Sequence, residues 1–363
     1  MNNTEGYKFI GNSSFKIGIF LLASAPFFSA LFFLISLSVS LIFERKKIIV
    51  DRLSFVLFLA GFLMIFISLY HFRNYENLYF SIFSWNGEKE VENIVERNQF
   101  SSWIGLSNWI PFFICFFGFQ PYLRSEKNRE IAAKFFVTGS IPVLISGFGQ
   151  YFFKWHGPFE LFDGLIIWFQ KPNSYLAGLF SNQNYTGCWL NIILPFSVAI
   201  FYQKTKNFYS KGTSLIFLLS IIISSFLTFS RNAWGGLLIC IPLVLGPITL
   251  NWFLPIIILL ITTIILKLLN YIPENISLFF DSILPANFDI FNQFSSESYT
   301  NENDKRYLIF IYALKMIFKN PILGLGAASF PFYYFTNSNI YKGHPHNLII
   351  DLAFSYGLIV TFL

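Results

Sequence analysis

The sequence predicts an all-α polytopic membrane protein, a helical bundle of about nine or ten visible spans with one large external loop. Three observations carry this. Of the 363 residues, 55% are hydrophobic and 12% are charged, against about 25% charged in an ordinary soluble domain. The apolar residues fall in blocks of roughly 17–25, enough to cross ~30 Å of hydrocarbon and unlike the short alternating segments of an outer-membrane barrel. Lys and Arg concentrate in three short loops between blocks.

The first block, 17–43, is longer than one span needs and contains Pro26. One tilted helix would put Met1 outside; a break at Ser24-Ala25-Pro26 would make a hairpin and put it inside. Ala23-Ser24-Ala25 has the form of a signal-peptidase site. The apolar run before it is short and Pro26 follows, so the block reads as retained membrane segment. Further spans are read at 53–70, 103–123, 131–151, 186–202, 214–229, 233–250, 253–272 and 346–363. The last runs to the final residue and is expected to be cut short.

Loops 44–52, 124–130 and 203–211 hold ten Lys/Arg in 25 residues, whereas segments 71–102, 152–185 and 273–345 hold ten in 139. By the positive-inside rule the first set is cytoplasmic and the second external. Three domains follow: a transmembrane bundle over 1–272, an external loop over 273–345 and a final visible span over 346–363. The loop opens with an irregular stretch, Pro285 to Asn303. A helix is predicted over 304–319, with Asp304 as N-cap and Asn320-Pro321 as stop. Gly324-Leu325-Gly326 follows, then the aromatic run Phe330 to Phe335, expected to face lipid.

The net charge of +6 is a topology signal; no basic stripe with interleaved aromatics marks a nucleic-acid surface. Cys115, Cys188 and Cys240 all lie in apolar blocks. An odd number without a CxxC motif gives neither a disulfide framework nor a zinc site, so they read as small packing residues.

Arg231 lies in Phe229-Ser230-Arg231-Asn232-Ala233-Trp234, at the tip between two spans. Parity puts this tip outside, which opposes a positive-inside marker. An arginine at membrane depth costs about 2.5–3.5 kcal/mol on insertion scales and tends to mark function; its forked donor set suits an anion. Arg306 sits early on the predicted loop helix beside Lys305; the alternative is a solvated face paired with Asp304 or Glu302.

His346 and Asn347 stand at the outer mouth of the last span. A neutral imidazole is the natural general base near pH 7; the alternative is an interfacial polar cluster with Asn347 as a cap. A metal on His344 and His346 is disfavoured, since HExxH, clustered carboxylates and Cys ligands are all lacking. Asp351, one turn below His346, is placed to orient the imidazole or the loop. His71 and His156, at other external span ends, read as interfacial. Two arginines, a histidine and an amide on one membrane face suit transfer from a lipid-diphosphate donor, the arginines stabilising the leaving diphosphate. No metal and no cofactor is expected.

Four stretches resemble the O-antigen ligase and polymerase superfamily of bacterial envelope glycan assembly. Residues 230–237, Ser-Arg-Asn-Ala-Trp-Gly-Gly-Leu, are similar to that family's Ser-Arg-(small)-(small)-Trp hairpin. Residues 320–326, Asn-Pro-Ile-Leu-Gly-Leu-Gly, are similar to its Asn-Pro-Leu-Leu-Gly-(hydrophobic)-Gly segment, with Arg306 fourteen residues upstream. His346-Asn347, nine residues and Gly357 follow its ligase pattern, although Leu-Ile-Val-Thr stands where many members have a second Gly. Residues 180–195, which include Asn184, resemble its Asn-containing start of a middle span.

The resemblance implies about twelve spans in all, two or three more than are visible, and a periplasmic loop over a lateral, lipid-facing cavity. It implies a polyprenyl-diphosphate-linked glycan donor held by Arg231 and Arg306. His346 would activate the acceptor hydroxyl with inversion at the anomeric carbon, supported by Asn347, Asn184 and Asp351. The acceptor would be lipid A–core or another glycan, and membrane lipid the remaining partner. The site would lie on the periplasmic side of a bacterial inner membrane. The spacing to Gly357 favours a ligase over a polymerase of the same superfamily. A transporter or flippase is a third reading, opposed by the lack of an inverted repeat and by the gathering of candidates at one interface.

Overall fold

The computed structural model describes residues 3–44, 52–74, 78–85, 90–170, 175–202, 208–249 and 306–363, with isolated helical positions between 251 and 266. Most of the span expected at 253–272, the stretch Pro285 to Asn303, the N-cap Asp304 and its neighbour Lys305 lie outside these residues. The helices are α1 (Asn3–Leu21), α2 (Pro26–Phe43), α3 (Arg52–Arg73), α4 (Ser101–Leu106), α5 (Ile110–Gly118), α6 (Gln120–Leu123), α7 (Glu126–Thr138), α8 (Ile141–Phe153), α9 (Gln183–Tyr202), α10 (Phe208–Leu227), α11 (Arg231–Leu245), α12 (Arg306–Lys319), α13 (Phe330–Ser338) and α14 (Leu348–Phe362). Two antiparallel hairpins, β1 (Tyr79–Trp85) with β2 (Glu90–Glu96) and β3 (Phe159–Leu161) with β4 (Ile166–Trp168), fall in the segments read as external. No strand was expected there.

Among the described residues, five helical stretches are long and apolar enough to cross a membrane: Pro26–Phe43, Ser54–Arg73, Glu126–Phe153, Gln183–Tyr202 and Ser210–Leu227. Arg231–Leu245 and Leu348–Phe362 are shorter apolar helices. The protein is an all-α polytopic membrane protein, with polar residues turned inward and apolar ones outward. In α2, Ser29, Ser36 and Ser40 are buried while Phe27, Leu34 and Ile42 are exposed, as suits a helix whose outer solvent is hydrocarbon.

The chain forms two compact units. In the first, α1 and α2 pair as an antiparallel hairpin. Tyr7 stacks on Phe43, Gly11 faces Val39, and Ser29 Oγ donates to Gly18 O at 2.7 Å. The break therefore falls at Ser24-Ala25, and the start of α1 and the end of α2 lie at the same end of the hairpin. Around α9, Leu190, Ile193 and Leu194 are fully buried against Leu144, Ile221 and Leu237. The span read at 131–151 begins earlier, at Glu126 behind the Ser125 cap, and is interrupted at Gly139-Ser140 ahead of Pro142.

The second unit holds α3, the β1–β2 hairpin, α4, α5 and α12 to α14. The single span expected at 103–123 is instead three short helices. Pro111 occupies the first turn of α5, and a proline there cannot continue the hydrogen-bond ladder from the preceding turn. The aromatic run read as lipid-facing forms α13, and Phe330, Phe332 and Tyr334 are buried. Phe330 and Tyr334 pack with Ile309, Ala313 and Ile317 of α12 and with Ala353 and Phe354 of α14. The run has a helix's periodicity, and its inward face supplies the core of this unit.

Candidate functional site

In the first unit the candidate residues gather at the α10–α11 turn. Phe229 adopts a left-handed backbone conformation, φ 49°, with its ring edge-on to Tyr175. Ser230 then takes the extended N-cap conformation of α11, but its side chain does not cap. Buried Ser230 Oγ instead donates to Asn184 Oδ1 at 2.9 Å, joining the start of α11 to the start of α9. Arg231 is the first residue of α11 and is exposed. There it stands at the positive end of the helix dipole with amide donors beside it, a setting that favours an anion.

Two glycines bring α9 and α11 this close. A Cβ on Gly187 would come within 2.9 Å of Ala233 Cβ, and one on Gly236 would strike the Asn191 side chain at 2.1 Å. Asn191 Nδ2 donates to Asn232 O at 3.0 Å, and Asn232 Nδ2 to Cys188 Sγ at 3.0 Å. Cys188 is therefore an exposed acceptor rather than a packing residue, and all three cysteines are free. The loop before α9 is held by Gln150, fully buried, whose Oε1 accepts from Ala177 N and Gly178 N at 2.8 and 2.9 Å. Leu176 N donates to Leu227 O, tying the same loop to the end of α10.

In the second unit, two of the sequence motifs form a single device. Helix α14 is broken at Gly357, which has φ 80° and ψ 171°. The break frees carbonyls one turn earlier, and the 321–326 segment takes them: Leu325 N donates to Phe354 O at 2.8 Å and Gly326 N to Ser355 O at 3.1 Å. In return Leu358 N donates to Pro321 O at 2.7 Å. The glycines are what permit the approach. A Cβ on Gly357 would sit 2.2 Å from Ile322 O, and one on Gly324, φ 60°, 2.7 Å from Phe354 O. The segment is also clamped from α3 and from the residue that follows β2. His71 Nε2 donates to Leu323 O at 3.1 Å, and Arg97, 4% exposed, donates from Nη2 to Leu325 O at 3.2 Å. His71 is thus a structural partner of this loop. His156, exposed and bonded to Lys154 O, fits the interfacial reading.

Asn347 is the N-cap of α14, its Oδ1 accepting from Ile350 N at 3.1 Å. His346, immediately before it, is exposed and left-handed at φ 57°. Non-glycine residues seldom adopt this conformation, His, Asn and Asp more readily than most. Pro345 precedes it, the order of a type II turn, in which glycine usually takes the left-handed position. Strain of this kind collects at functional sites. Asp351 is half-buried on the first turn of α14. Arg306 is the first residue of α12; its side chain lies outside the described residues. Behind it, Tyr312 donates to Tyr333 O at 2.6 Å. Burial, with Tyr334 adding, pushes its phenol up to about 12, so it remains a donor across the working pH range.

The structure therefore joins Asn184 to the Ser230-Arg231 turn in one unit, and places His346, Asn347 and Asp351 at one helix start in the other. Among the described residues, no group of three or more His, Cys, Asp or Glu side chains is arranged to hold a metal ion. A cavity of about 520 Å³ lies beside α8 and the β3–β4 hairpin, lined by Trp155, Phe159, Trp168 and Gln170 among others; none of the sequence-predicted residues lines it. Sequence reasoning missed Ser230, Gln150, Arg97 and the partnership of Gly324 with Gly357. Only the last left a signal, two glycine motifs within forty residues of each other.

These features define a polytopic membrane protein with polar, helix-start sites near its C-terminal end. Residues 215–363 match the family model described as O-Antigen ligase, and over this part the chain is similar to that family. Arg231, Arg306 and His346 all lie within the matched residues. No curated protein and no solved structure matches the chain.

Proposed function

We propose that the chain transfers a glycan from a polyprenyl-diphosphate-linked donor to an acceptor hydroxyl at the periplasmic face of a bacterial inner membrane, as an O-antigen ligase. The observation that carries this is His346, an exposed imidazole in a left-handed conformation at the start of α14, within the family-matched segment. In this reading His346 takes the proton of the acceptor hydroxyl. The hydroxyl oxygen attacks the anomeric carbon, and the bond to the diphosphate oxygen breaks with inversion. Arg231 and Arg306 neutralise the diphosphate as it leaves, supplying the charge that a divalent ion supplies in other glycosyl transfers. Asn347 and Asp351 support His346, and Asn184 supports the turn that carries Arg231. The Lys/Arg distribution between loops supports the external placement.

A polymerase of the same superfamily is the second reading, since it uses the same donor; the His346-Asn347 spacing to Gly357 favours the ligase. The test is the envelope glycan profile of a strain lacking the gene. A bare lipid A–core, with polymer retained on the lipid carrier, supports ligation. Core bearing a single repeat unit supports the polymerase. An unchanged ladder overturns both for lipopolysaccharide.

A further inference from the structure

We propose that His344 is a positioning residue for His346, holding the turn that presents the base. The inference rests on the reading of His346 as that base. The His346 amide donates to His344 Nδ1 at 3.0 Å. This nitrogen must then be unprotonated, so the ring's proton is on Nε2. The two rings meet edge to face, with centroids 4.4 Å apart and planes at 70°.

The bond explains how the turn is held. His346 occupies a backbone conformation that glycine would adopt freely and histidine does not. Pro345 fixes the residue before it, and the Nδ1 acceptor closes the loop from two residues back. This is the bond that an Asn or Asp side chain makes in an Asx turn. The Asn Oδ1 atom stands at the same place along its side chain as the His Nδ1 atom. Asparagine at 344 therefore keeps the acceptor and loses the imidazole, while phenylalanine keeps a ring and loses the acceptor. His344 is exposed, so neither change disturbs a packed core.

The experiment measures kcat and donor KM in membranes with a polyprenyl-diphosphate-linked glycan, for His344→Phe, His344→Ala and His344→Asn, with His346→Asn alongside. His344→Phe and His344→Ala should lower kcat at least tenfold with donor KM within twofold. His344→Asn should restore kcat to within threefold of the parent. A His344→Phe enzyme with parental kcat overturns the inference, and so does a His344→Asn enzyme as slow as His344→Phe. If His346→Asn is inactive while His344→Phe is active, only the positioning role fails. Activity retained by His346→Asn overturns the base reading, and this inference with it.

Discussion

The starts of α11 and α14 share one backbone plan. A left-handed residue, Phe229 or His346, is followed by an extended N-cap, Ser230 or Asn347, and then by the helix. They differ in where the polar residue of interest falls. Arg231 comes after the cap, in ordinary helical conformation, while the aromatic Phe229 takes the left-handed position. His346 comes before the cap and itself takes that position. The caps differ as well: Asn347 bonds to its own helix, whereas Ser230 reaches across to Asn184. One turn thus leaves its functional candidate free of backbone constraint and uses the cap to join helices. The other builds the candidate into the constraint. A substitution at Arg231 leaves the backbone conformation undisturbed; one at His346 tests chemistry and backbone together unless the replacement tolerates the left-handed region.

Asparagine at 346 separates those two effects, and this change has the largest expected consequence. His346→Asn should reduce glycan transfer by about 10²–10⁴-fold, the usual contribution of a general base, with an unchanged melting temperature in detergent. Retained activity would remove the functional side of the comparison. Arg231→Gln keeps a polar side chain at the start of α11 and removes the charge. It should lower transfer by about 10²-fold or more, with stability within about 0.5 kcal/mol of the parent; measuring rate and melting on one preparation checks both.

Gly357→Ala probes the support behind His346. Left-handed strain, together with a Cβ 2.2 Å from Ile322 O, should destabilise the second unit by about 3 kcal/mol, read as a lower melting temperature. Acidification should lower the rate, because a protonated imidazole accepts no proton. A rate flat down to pH 5 would argue against a histidine base. The smallest effect belongs to α11. Gly235 has open space where a Cβ would go, so Gly235→Ala should be neutral or stabilising by about 0.5–1 kcal/mol, in contrast to Gly357→Ala.

The spans were legible because an apolar block of bilayer length is a signal summed over many residues. So was the α12 helix, which begins at Arg306 and ends at Lys319 before the expected stop at Asn320-Pro321. The interruption of 103–123 was less so, because Asn108 and Pro111 are two residues in an otherwise apolar stretch and hydropathy averages over them. The aromatic run was misjudged for a related reason. Phe and Tyr suit a lipid interface and a protein core equally, and only the packing partners of Phe330 and Tyr334 decide between them. At the candidate site, residue type pointed to His346, Arg231 and Asn347, and the structure places each at the start of a helix. The pairing of Ser230 with Asn184, 46 residues apart, depends on tertiary contact. Spacing along the chain does not encode it.

The break at Gly357 also bears on how the protein is assembled in its bilayer. An uninterrupted apolar helix satisfies its own backbone and can partition into lipid alone. Helix α14 cannot: two of its carbonyls and one amide find partners only in residues 321–326, and each such group left unpaired in hydrocarbon costs several kcal/mol. The partners come earlier in the chain and lie alongside α14, about 13 Å from its first residue at 1.5 Å per residue. The broken helix therefore depends on this segment, and a chain stalled before the two have met leaves these backbone groups unpaired.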